Sequence, residues 1–385
     1  MANILDYIRW RGDLTFAQDE LNEVDSLILS ELSYLNFQGI AQTAEGLSLK
    51  EAAARYFEEE RDKQINTGDL QKPEYFTMLS LLAESRRFSD IVLSGYVQRL
   101  EEEANLQFSA VICRLLPGVC YAAYRGTDDT LLGWKDDFLM SALDTVPSQE
   151  EALRYFKRAL EENPGCRWYL GGHSKGGNLA VYAAVNAGQR AQRRVLRVFN
   201  HDGPGFREQV LASAAWQAMQ ERICTTVPQA SIVGMLLEHG ENYTVVRSSE
   251  KGAMQHDGLS WEVCGPQFVH LGEVNRKSRI ADRTIRKVLG ELDDAQRRQF
   301  TEALFEVLEA NRNRTLTDIR TDGFRAVRAM IKTYDNLDQE AKRALQSVAA
   351  KLLSEGFQSI RQERAEQRSR NKERAGDAAE TGGEI

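Results

Sequence analysis

The chain has 385 residues, of which 42% are hydrophobic and 28% are charged, and its formal net charge is −8. The composition is ordinary for a globular protein, and the negative charge argues against a protein that binds nucleic acid by neutralising phosphates. Because a single core usually stops growing at about 250 to 300 residues, we expect one large domain with an appendage.

The first residues and the cysteines predict where the protein works. Charged side chains interrupt the N-terminal stretch, where a secretion signal requires an unbroken apolar run. No uncharged apolar run approaches the roughly 20 residues that span a bilayer. The five cysteines are scattered without a C-x-x-C pair, so we expect buried free thiols in a reducing compartment. These features predict a cytoplasmic protein that has no transmembrane segment.

In chain order, helices are expected first and a sheet is expected to begin at Phe108. The segments FSAVICRLL and VCYAAYRG flank a Pro-Gly turn and are typical of paired strands. A helix follows, then the strand CRWYLGG, the helix NLAVYAAVNAG and the strand RVLRVFN. Strands that alternate with helices predict a parallel sheet covered by helices.

The second half of the chain is predicted to be more helical. A helix over residues 207–222 precedes the apolar segment SIVGMLLEHG and the strand NYTVVRS. Later helices carry apolar stripes, and the last residues offer almost nothing to bury. The predicted parts are therefore a helical N-terminal segment (1–85), an α/β core (86–275), a helical C-terminal extension (276–360) and a disordered tail (361–385).

The motif GGHSKGGNLA sets Ser174 between a predicted strand and a predicted helix. Gly172 and Gly176 stand two positions on either side, where small residues let neighbouring backbones approach a strained turn. Such a turn places the serine at a helix N-terminus, where free amides stabilise a developing anion. A glycine turn with an inert serine is the alternative, but the strand-to-helix setting favours a nucleophile.

A nucleophilic serine requires a base, for which five histidines are available. His256 follows the strand NYTVVRS, where the base belongs in the chain order serine, acid, histidine. His270 is a weaker alternative. The remaining histidines are His173, which we expect to point away from Ser174 as a packing residue, and His201 and His239, whose settings do not distinguish them.

The base in turn requires a carboxylate that orients it. Asp202 follows the strand RVLRVFN and opens a Gly-Pro-Gly turn, which would fix the carboxylate at the sheet edge where substrates bind. Asp202 acting merely as a helix cap is the alternative. Asp257 and Glu238 are further candidates for the acid.

An oxyanion hole requires the amide of the residue after the nucleophile and a second donor from an earlier loop. The first requirement points to Lys175. The loop AAYRGTDDTLLGW fits the second, because Thr127 offers both its amide and its hydroxyl. Arg125 and the pair Asp128-Asp129 are interpreted as a surface ion-pair cluster.

These motifs resemble those of the class three lipases, the fungal-type triacylglycerol lipases, and more closely an uncharacterised bacterial branch of that group. YRGTDDTLLGWKDDF is similar to the group's oxyanion loop, and GGHSKGGNLA to its Gly-His-Ser-x-Gly-Gly elbow. The likeness covers residues 108–261 and implies an α/β-hydrolase fold. It also implies Ser174 as nucleophile, His256 as base, and Thr127 with the Lys175 amide as oxyanion donors.

Two positions depart from the lipase pattern. Lys175 stands where the lipases usually have a hydrophobic residue. The segment in which they carry the acid, VPQASIVGMLL in this chain, offers Ser231 and no carboxylate. Asp202 is therefore the preferred acid.

The sequence predicts a serine hydrolase that cleaves carboxylic esters of lipid-like or acyl substrates, with no metal or organic cofactor. Met235, Leu236 and Leu237 are candidates to line an acyl pocket, with core packing as the alternative. A thioesterase or acyltransferase would use the same three residues. A non-catalytic scaffold, whose C-terminal helices bind a partner or a membrane surface, is the alternative from a different class. Self-association or partner binding through these helices is a further hypothesis.

Overall fold

The computed structural model describes residues 1–62, 73–101, 103–128, 131–140, 143–231, 233–235, 237–275, 279–280, 283–284, 287–288, 290–310 and 324–355. The strands in this part are β1 (Leu47–Ser48), β2 (Val92–Glu101), β3 (Leu106–Leu116), β4 (Val119–Tyr124), β5 (Arg167–His173), β6 (Val195–His201), β7 (Ile223–Pro228), β8 (Tyr243–Val246), β9 (Val263–Cys264), β10 (Gln267–Phe268) and β11 (His270–Leu271).

The helices surround these strands. They are α1 (Ile4–Arg11), α2 (Glu23–Leu32), α3 (Leu49–Asp62), α4 (Pro73–Glu84), α5 (Leu131–Leu139), α6 (Pro147–Glu162), α7 (Lys175–Asn186), α8 (Gln189–Gln192), α9 (Glu208–Leu211), α10 (Ala214–Gln217), α11 (Asp294–Leu308) and α12 (Phe324–Asn336). Residues 339–355 are also helical. Within the described ranges, every helix is too short or too polar to cross a bilayer.

The central sheet has the strand order β1-β2-β3-β4-β5-β6-β7-β8-β11. Strands β4 to β8 pair in parallel, because each connection returns the chain to the same edge. Helices form the connections from β4 to β7, and a segment with a 3₁₀ turn joins β7 to β8. Strands β1 to β4 pair antiparallel, and so does β11 with β8. The prediction of an α/β-hydrolase fold around a parallel sheet is confirmed.

Each face of the sheet buries its own apolar cluster. Alternate residues of β4 enter opposite clusters: Tyr121 and Ala123 face helices α1 to α4, whereas Cys120 and Ala122 face α6 and α7. This alternation is the two-residue period of a strand that is covered on both sides. The N-terminal helices therefore cover one face of the sheet.

Helix α2 is buried along its length from Val24 to Leu32 although it contains polar residues. Asp25 pairs with the buried Arg87 at 2.6 Å, and Tyr7 donates a hydrogen bond of 3.0 Å to the same carboxylate. Because a buried charge requires a partner, these contacts let a polar helix pass through the interior. The helix thereby reaches the C-terminal edge of the parallel strands.

Some predicted elements differ from the structure. The sheet begins before Phe108, because β1 and β2 precede it, and a register shift between Ser94 and Val97 hides the alternation in β2. Residues 207–222 form the short helices α9 and α10 and a 3₁₀ turn instead of one helix, and β7 was not predicted. These short elements carry too few residues to establish a period in the sequence.

The five cysteines differ in their burial. Cys113 and Cys120 are buried free thiols, whereas Cys166 and Cys224 are half-buried. The prediction of a buried thiol is wrong for Cys264, which lies exposed in the hairpin of β9 and β10. The predicted disordered tail at 361–385 lies outside the described residues.

Candidate active site

Ser174 forms the sharp turn between β5 and α7. Its φ of 56° and ψ of −135° lie in a region that residues with side chains rarely adopt. Two backbone hydrogen bonds hold this conformation: the Ser174 amide donates to the His201 carbonyl at 2.8 Å, and the Gly177 amide donates to the Ser174 carbonyl at 2.9 Å. The turn sets the serine at the C-terminal edge of β5.

Two glycines make this turn possible. A Cβ added at Gly172 would lie 2.2 Å from the carbonyl carbon of Gly176, and one at Gly176 would lie 2.1 Å from the carbonyl oxygen of Tyr124. Both contacts are with backbone atoms, which cannot rotate away. These positions therefore require glycine.

Ser174, His256 and Asp202 form a chain of hydrogen bonds. His256 Nε2 lies 3.0 Å from Ser174 Oγ, and His256 Nδ1 lies 2.6 Å from Asp202 Oδ2. Because an ionised carboxylate only accepts, Nδ1 carries the proton, and Nε2 is left to accept the serine proton. This is the arrangement of a nucleophile, a base and a carboxylate that orients the base.

Asp202 is fully buried directly after β6 and has a φ of 52°. Its amide donates to the Thr226 carbonyl of the neighbouring strand β7 at 2.8 Å. Ser231, in the loop after β7, donates a hydrogen bond of 2.5 Å to Oδ1. The carboxylate therefore has one oxygen held by Ser231 and the other directed at His256.

The loop that carries His256 is fixed by side chains on either side. Trp261 Nε1 donates to the carbonyl of Gln255 at 2.9 Å. Gln255 Oε1 accepts from the Ala230 amide at 2.7 Å, which ties this loop to the Ser231 segment. The side chain of His256 is 28% exposed, so solvent reaches the base.

The environment of His256 changes its acidity. Burial lowers the pKa of the imidazole, but the hydrogen bond and the negative charge of Asp202 outweigh burial, and Glu31 and Asp257 add smaller effects of the same sign. The pKa of His256 therefore stands above its ordinary value of about 6.5. These interactions stabilise the imidazolium that forms when a general base accepts a proton.

The predicted oxyanion loop passes directly over the elbow. A Cβ added at Gly126 would lie 2.6 Å from the His173 carbonyl oxygen and 3.1 Å from Ser174 Cβ. Thr127 follows in the chain, and its hydroxyl donates to Asp137 Oδ2 of α5 at 2.6 Å. Lys175, whose amide is the other predicted donor, is the first residue of α7.

The side chain of Lys175 points into the protein and is fully buried. Its Nζ lies 2.5 Å from Gln107 Oε1, 3.2 Å from Asp136 Oδ2 and 3.9 Å from Asp137 Oδ1. Burial raises the pKa of Asp136, and it raises the pKa of Asp137 to about 7, although the lysine charge opposes both effects. The departure from the lipase pattern is thus an internal ion pair.

The residues predicted for the acyl pocket and the ion-pair cluster lie in different environments. Leu237 is half-buried and packs on the apolar cluster beneath α7, as the packing alternative expects. Leu236 and the side chain of Met235 lie outside the described residues. Arg125 is buried beside Asp128 at 3.5 Å, so the prediction of a surface ion pair is wrong for the arginine. Asp129 lies outside the described residues as well.

The other candidate acids have structural roles near the ends of the loops. Asp257 Oδ1 accepts from the Leu259 amide at 3.2 Å and caps a 3₁₀ turn. Glu238 pairs with Phe206 through backbone hydrogen bonds of 2.7 and 3.1 Å.

The described residues contain no group of three or more His, Cys, Asp or Glu side chains that could hold a metal ion.

Three other histidines lie in polar settings of their own. His201 is buried between Ser26 and Thr226, and burial lowers its pKa to about 3. His270 is exposed at the sheet edge, 2.8 Å from Glu23. His239 lies 3.2 Å from the buried Glu241.

His173 and Ser231 are the residues at the site whose contacts sequence analysis did not anticipate. His173 is buried as a packing residue would be, but its Nε2 also lies 2.7 Å from the carbonyl oxygen of His256. The position of His173 next to Ser174 was a signal for a role at the site. No sequence pattern links Ser231 to Asp202, because the contact crosses between two strands.

The model of the Mbeg1-like family matches residues 82–306, which is more than half of the chain. Solved structures that are similar include a fungal lipase in complex with an inhibitor, 12% identical over 64% of this chain and 80% of that chain, with a TM-score of 0.38. A triacylglycerol lipase whose catalytic centre is a serine-protease triad is 13% identical over 58% and 77%, with a TM-score of 0.36. A further fungal lipase is 10% identical over 64% and 84%, with a TM-score of 0.36. No curated protein matches the sequence.

Proposed function

This chain belongs to the Mbeg1-like family, and we propose that it is a serine hydrolase that cleaves carboxylic esters through an acyl-enzyme on Ser174. The observation that carries the proposal is the unbroken hydrogen-bonded chain from Ser174 Oγ through His256 to Asp202. The strained serine φ of 56° supports it, because such backbone conformations are retained where a function requires them.

In the first half of the reaction, Ser174 Oγ attacks the ester carbonyl carbon while His256 Nε2 takes the serine proton. Asp202 stabilises the imidazolium through Nδ1–H and does not take the proton itself. The tetrahedral intermediate then collapses, His256 gives its proton to the departing alkoxide oxygen, and the alcohol leaves. The acyl group remains on Ser174 as an ester.

In the second half, water replaces the alcohol. His256 Nε2 removes a proton from the water while the water oxygen attacks the acyl carbon. His256 then gives this proton to Ser174 Oγ as the carboxylic acid departs. If an alcohol enters in place of water, the same steps transfer the acyl group. The triad supports the hydrolase and the acyltransferase equally, and a thioester is cleaved by the same attack.

The negative oxygen of each intermediate requires donors that are already in place. We assign this role to the amides of Lys175 and Thr127, which flank the contact between the oxyanion loop and the elbow. The hydroxyl of Thr127 donates to Asp137 and so anchors the loop. The free amides at the start of α7 add the favourable end of a helix dipole.

The substrate is proposed as an ester with an acyl group, lipid-like in its apolar part. Of the predicted acyl-pocket residues, Leu237 is the one whose side chain is described, and it packs on an apolar cluster that includes Phe206. The segment before it passes against the acid, since a Cβ at Gly234 would lie 2.2 Å from Asp202 Oδ1. The contact of Gly234 with the acid is the support for an acyl-binding role of this segment.

Labelling with a fluorophosphonate, followed by mass spectrometry of the labelled peptide, tests this function. The wild type should be modified at Ser174, and Ser174→Ala should not be modified. Ser213→Ala is the matched control, because Ser213 caps α10 and should leave labelling unchanged. A folded wild type that neither reacts with the probe nor hydrolyses p-nitrophenyl esters would contradict the proposal and favour the non-catalytic scaffold.

Turnover of the esters then tests the role of the acid. Asp202→Asn should lower kcat by about a thousandfold or more while the protein remains folded, since the wrong imidazole tautomer is then stabilised. Near-wild-type turnover would remove Asp202 from the mechanism. A series of p-nitrophenyl esters from acetate to palmitate identifies the preferred acyl length.

A further inference from the structure

Helix α2 brings a buried carboxylate to the inner side of the triad. Glu31 is 1% exposed, and it accepts a hydrogen bond of 2.5 Å from the hydroxyl of Tyr75 on α4. Its other oxygen lies 3.3 Å from Nδ1 of His173, the residue before the elbow serine. Tyr34 also approaches the same nitrogen at 3.3 Å. These residues join the N-terminal helices to the end of β5.

The opposite nitrogen of His173 faces the loop of the base. His173 Nε2 lies 2.7 Å from the backbone carbonyl of His256. A carbonyl oxygen can only accept, so Nε2 carries a proton and donates. The rings of the two histidines lie 4.7 Å apart at an angle of 35°. His173 therefore contacts both the backbone and the ring of the residue that contacts Ser174.

Glu31 also touches the same loop directly. A Cβ added at Gly258 would lie 2.5 Å from Glu31 Oε1, so the loop packs on the carboxylate without room for a side chain. A carboxylate in the interior is unfavourable unless it is hydrogen-bonded or paired. Tyr75 and His173 supply such contacts to Glu31, and Gly258 of the His256 loop borders the same carboxylate.

We propose that Glu31 and His173 are a positioning pair for the base of the reaction. Glu31 fixes the orientation of the His173 ring as an ion pair with the doubly protonated imidazole, since Nδ1 must carry a proton of its own to bind the carboxylate. The Nε2–H of His173 holds the carbonyl of His256, so that the His256 imidazole stays within 3.0 Å of Ser174 Oγ. This inference rests on the proposed function of Ser174 and His256. It extends the active site into the N-terminal segment, since Glu31 precedes the family-matched residues 82–306.

Glu31 and His173 are placed to affect both the rate of the reaction and the pKa of His256. Small displacements of a catalytic group from its productive position lower the rate steeply. The charge of Glu31 also favours protonated His256. The other titratable groups that bear on His256 are Asp202 after β6, Asp257 in its own loop, Asp137 on α5 and His173 at the end of β5.

Glu31→Gln is the central variant, because it removes the charge and keeps the size of the side chain. We expect kcat for a p-nitrophenyl ester to fall about tenfold to a hundredfold, with KM nearly unchanged. The acid limb of the pH profile should move to lower pH. Ser30→Ala, which removes a buried hydroxyl from the adjacent position of α2, is the matched control and should retain the kcat and the pH profile of the wild type.

Two variants of His173 distinguish the effect of its N–H donor from the effect of its ring. His173→Gln retains an N–H donor and should keep more activity than His173→Phe, which has none. If a merely structural role applied, both variants would change the free energy of unfolding and leave kcat of the folded protein unaltered. If Glu31→Gln does not fold, Gly258→Ala displaces the carboxylate from the loop side and should lower kcat as well.

Histidine ring NMR measures the pKa of His256 without any substrate. Glu31→Gln should lower this pKa, and Ser30→Ala should leave it unchanged. An unchanged pKa together with an unchanged kcat in Glu31→Gln would overturn the positioning pair while ester hydrolysis by the wild type stands. A wild type that hydrolyses no ester, but in which Glu31→Gln lowers the pKa of His256, would instead contradict the proposed function and leave the electrostatic coupling supported.

Discussion

Ser231 donates a hydrogen bond of 2.5 Å to Oδ1 of Asp202, the carboxylate oxygen that His256 does not use. The resemblance to class three lipases places the acid in the segment that carries Ser231 here, whereas Asp202 belongs to the preceding strand. The two positions meet because β6 and β7 are parallel neighbours and the Asp202 amide donates to Thr226 of β7. The Ser231 hydroxyl and the Asp202 carboxylate therefore meet at one point of the sheet edge, beside His256.

Ser231→Ala should weaken this arrangement. The buried carboxylate loses a charge-assisted hydrogen bond, which is worth about 1.5 to 3 kcal/mol of unfolding free energy. We also expect kcat to fall about tenfold, because Asp202 then orients His256 less firmly. Urea unfolding and ester turnover measure the two effects. Ser33→Ala is the control, since its buried hydroxyl donates to the Ser30 carbonyl at 2.6 Å, and it should leave kcat unchanged.

The pH profile of kcat/KM should report the raised pKa of His256. The base must be neutral, so activity should increase as the pH rises through a pKa above about 6.5. Asp202→Asn should move this limb to lower pH, since the aspartate is the strongest of the groups that raise the pKa of His256. An assay that detects product independently of pH measures the profile.

Asp137 titrates in the same range, because burial raises its pKa to about 7. Asp137→Asn keeps an acceptor for the Thr127 hydroxyl and removes this ionisation. A limb that persists in Asp137→Asn belongs to His256. A limb that disappears would assign the pH dependence to the oxyanion loop.

Lys175→Met should destabilise the protein by about 3 kcal/mol or more, because it leaves Asp136 as a buried carboxylate without its cation. Burial already raises the pKa of Asp136, and removal of the lysine raises it further. The carboxyl then takes up a proton as the pH falls, so the destabilisation should be full at high pH and should vanish toward about pH 4, near the pKa of an unfolded aspartate.

Urea unfolding of Lys175→Met at neutral pH and near pH 4 tests whether the destabilisation decreases as the pH falls. The double variant Lys175→Met/Asp136→Asn carries no buried charge at this pair and should recover much of the loss at neutral pH. Equal stability of the single variant and the wild type would show that the ion pair does not hold α5 against α7.

Gly176→Ala should prevent the elbow from closing. The added Cβ would lie 2.1 Å from the Tyr124 carbonyl oxygen, and the backbone shift needed to relieve this contact costs about 3 kcal/mol or more. Gly272→Ala is the control, because its Cβ would meet no atom of the described residues within 4 Å. The Tm and the soluble yield of the two variants give the comparison, and a Gly176→Ala protein as stable as the control would contradict the tight packing.

The sequence predicts best what is specified locally. The elbow follows from glycines two positions from Ser174, and Asp202 is marked by a turn directly after a strand. Strand β2 was missed because a bulge interrupts its alternation. A local pattern of this kind also singles out His256, whose loop follows a recognisable strand, and the structure places its ring 3.0 Å from Ser174 Oγ.

Contacts between distant segments leave no such pattern. Glu31 meets His173 only after α2 crosses the interior, and nothing near position 31 in the sequence indicates a partner in the elbow. The sequence predicts a role for the Lys175 amide but none for its side chain, because the partners of that side chain, Gln107 and Asp136, come from two other elements. These contacts can be identified only from the three-dimensional structure.

Burial of α2 has a consequence for how the protein is divided. Ile4, Ile28 and Leu79 belong to the apolar cluster that covers one face of the sheet, and all three precede the family-matched residues 82–306. A fragment trimmed to those residues would expose that face to water and would lack Glu31. The smallest unit of this protein that folds therefore begins upstream of its family signature, and truncations that follow the signature should aggregate.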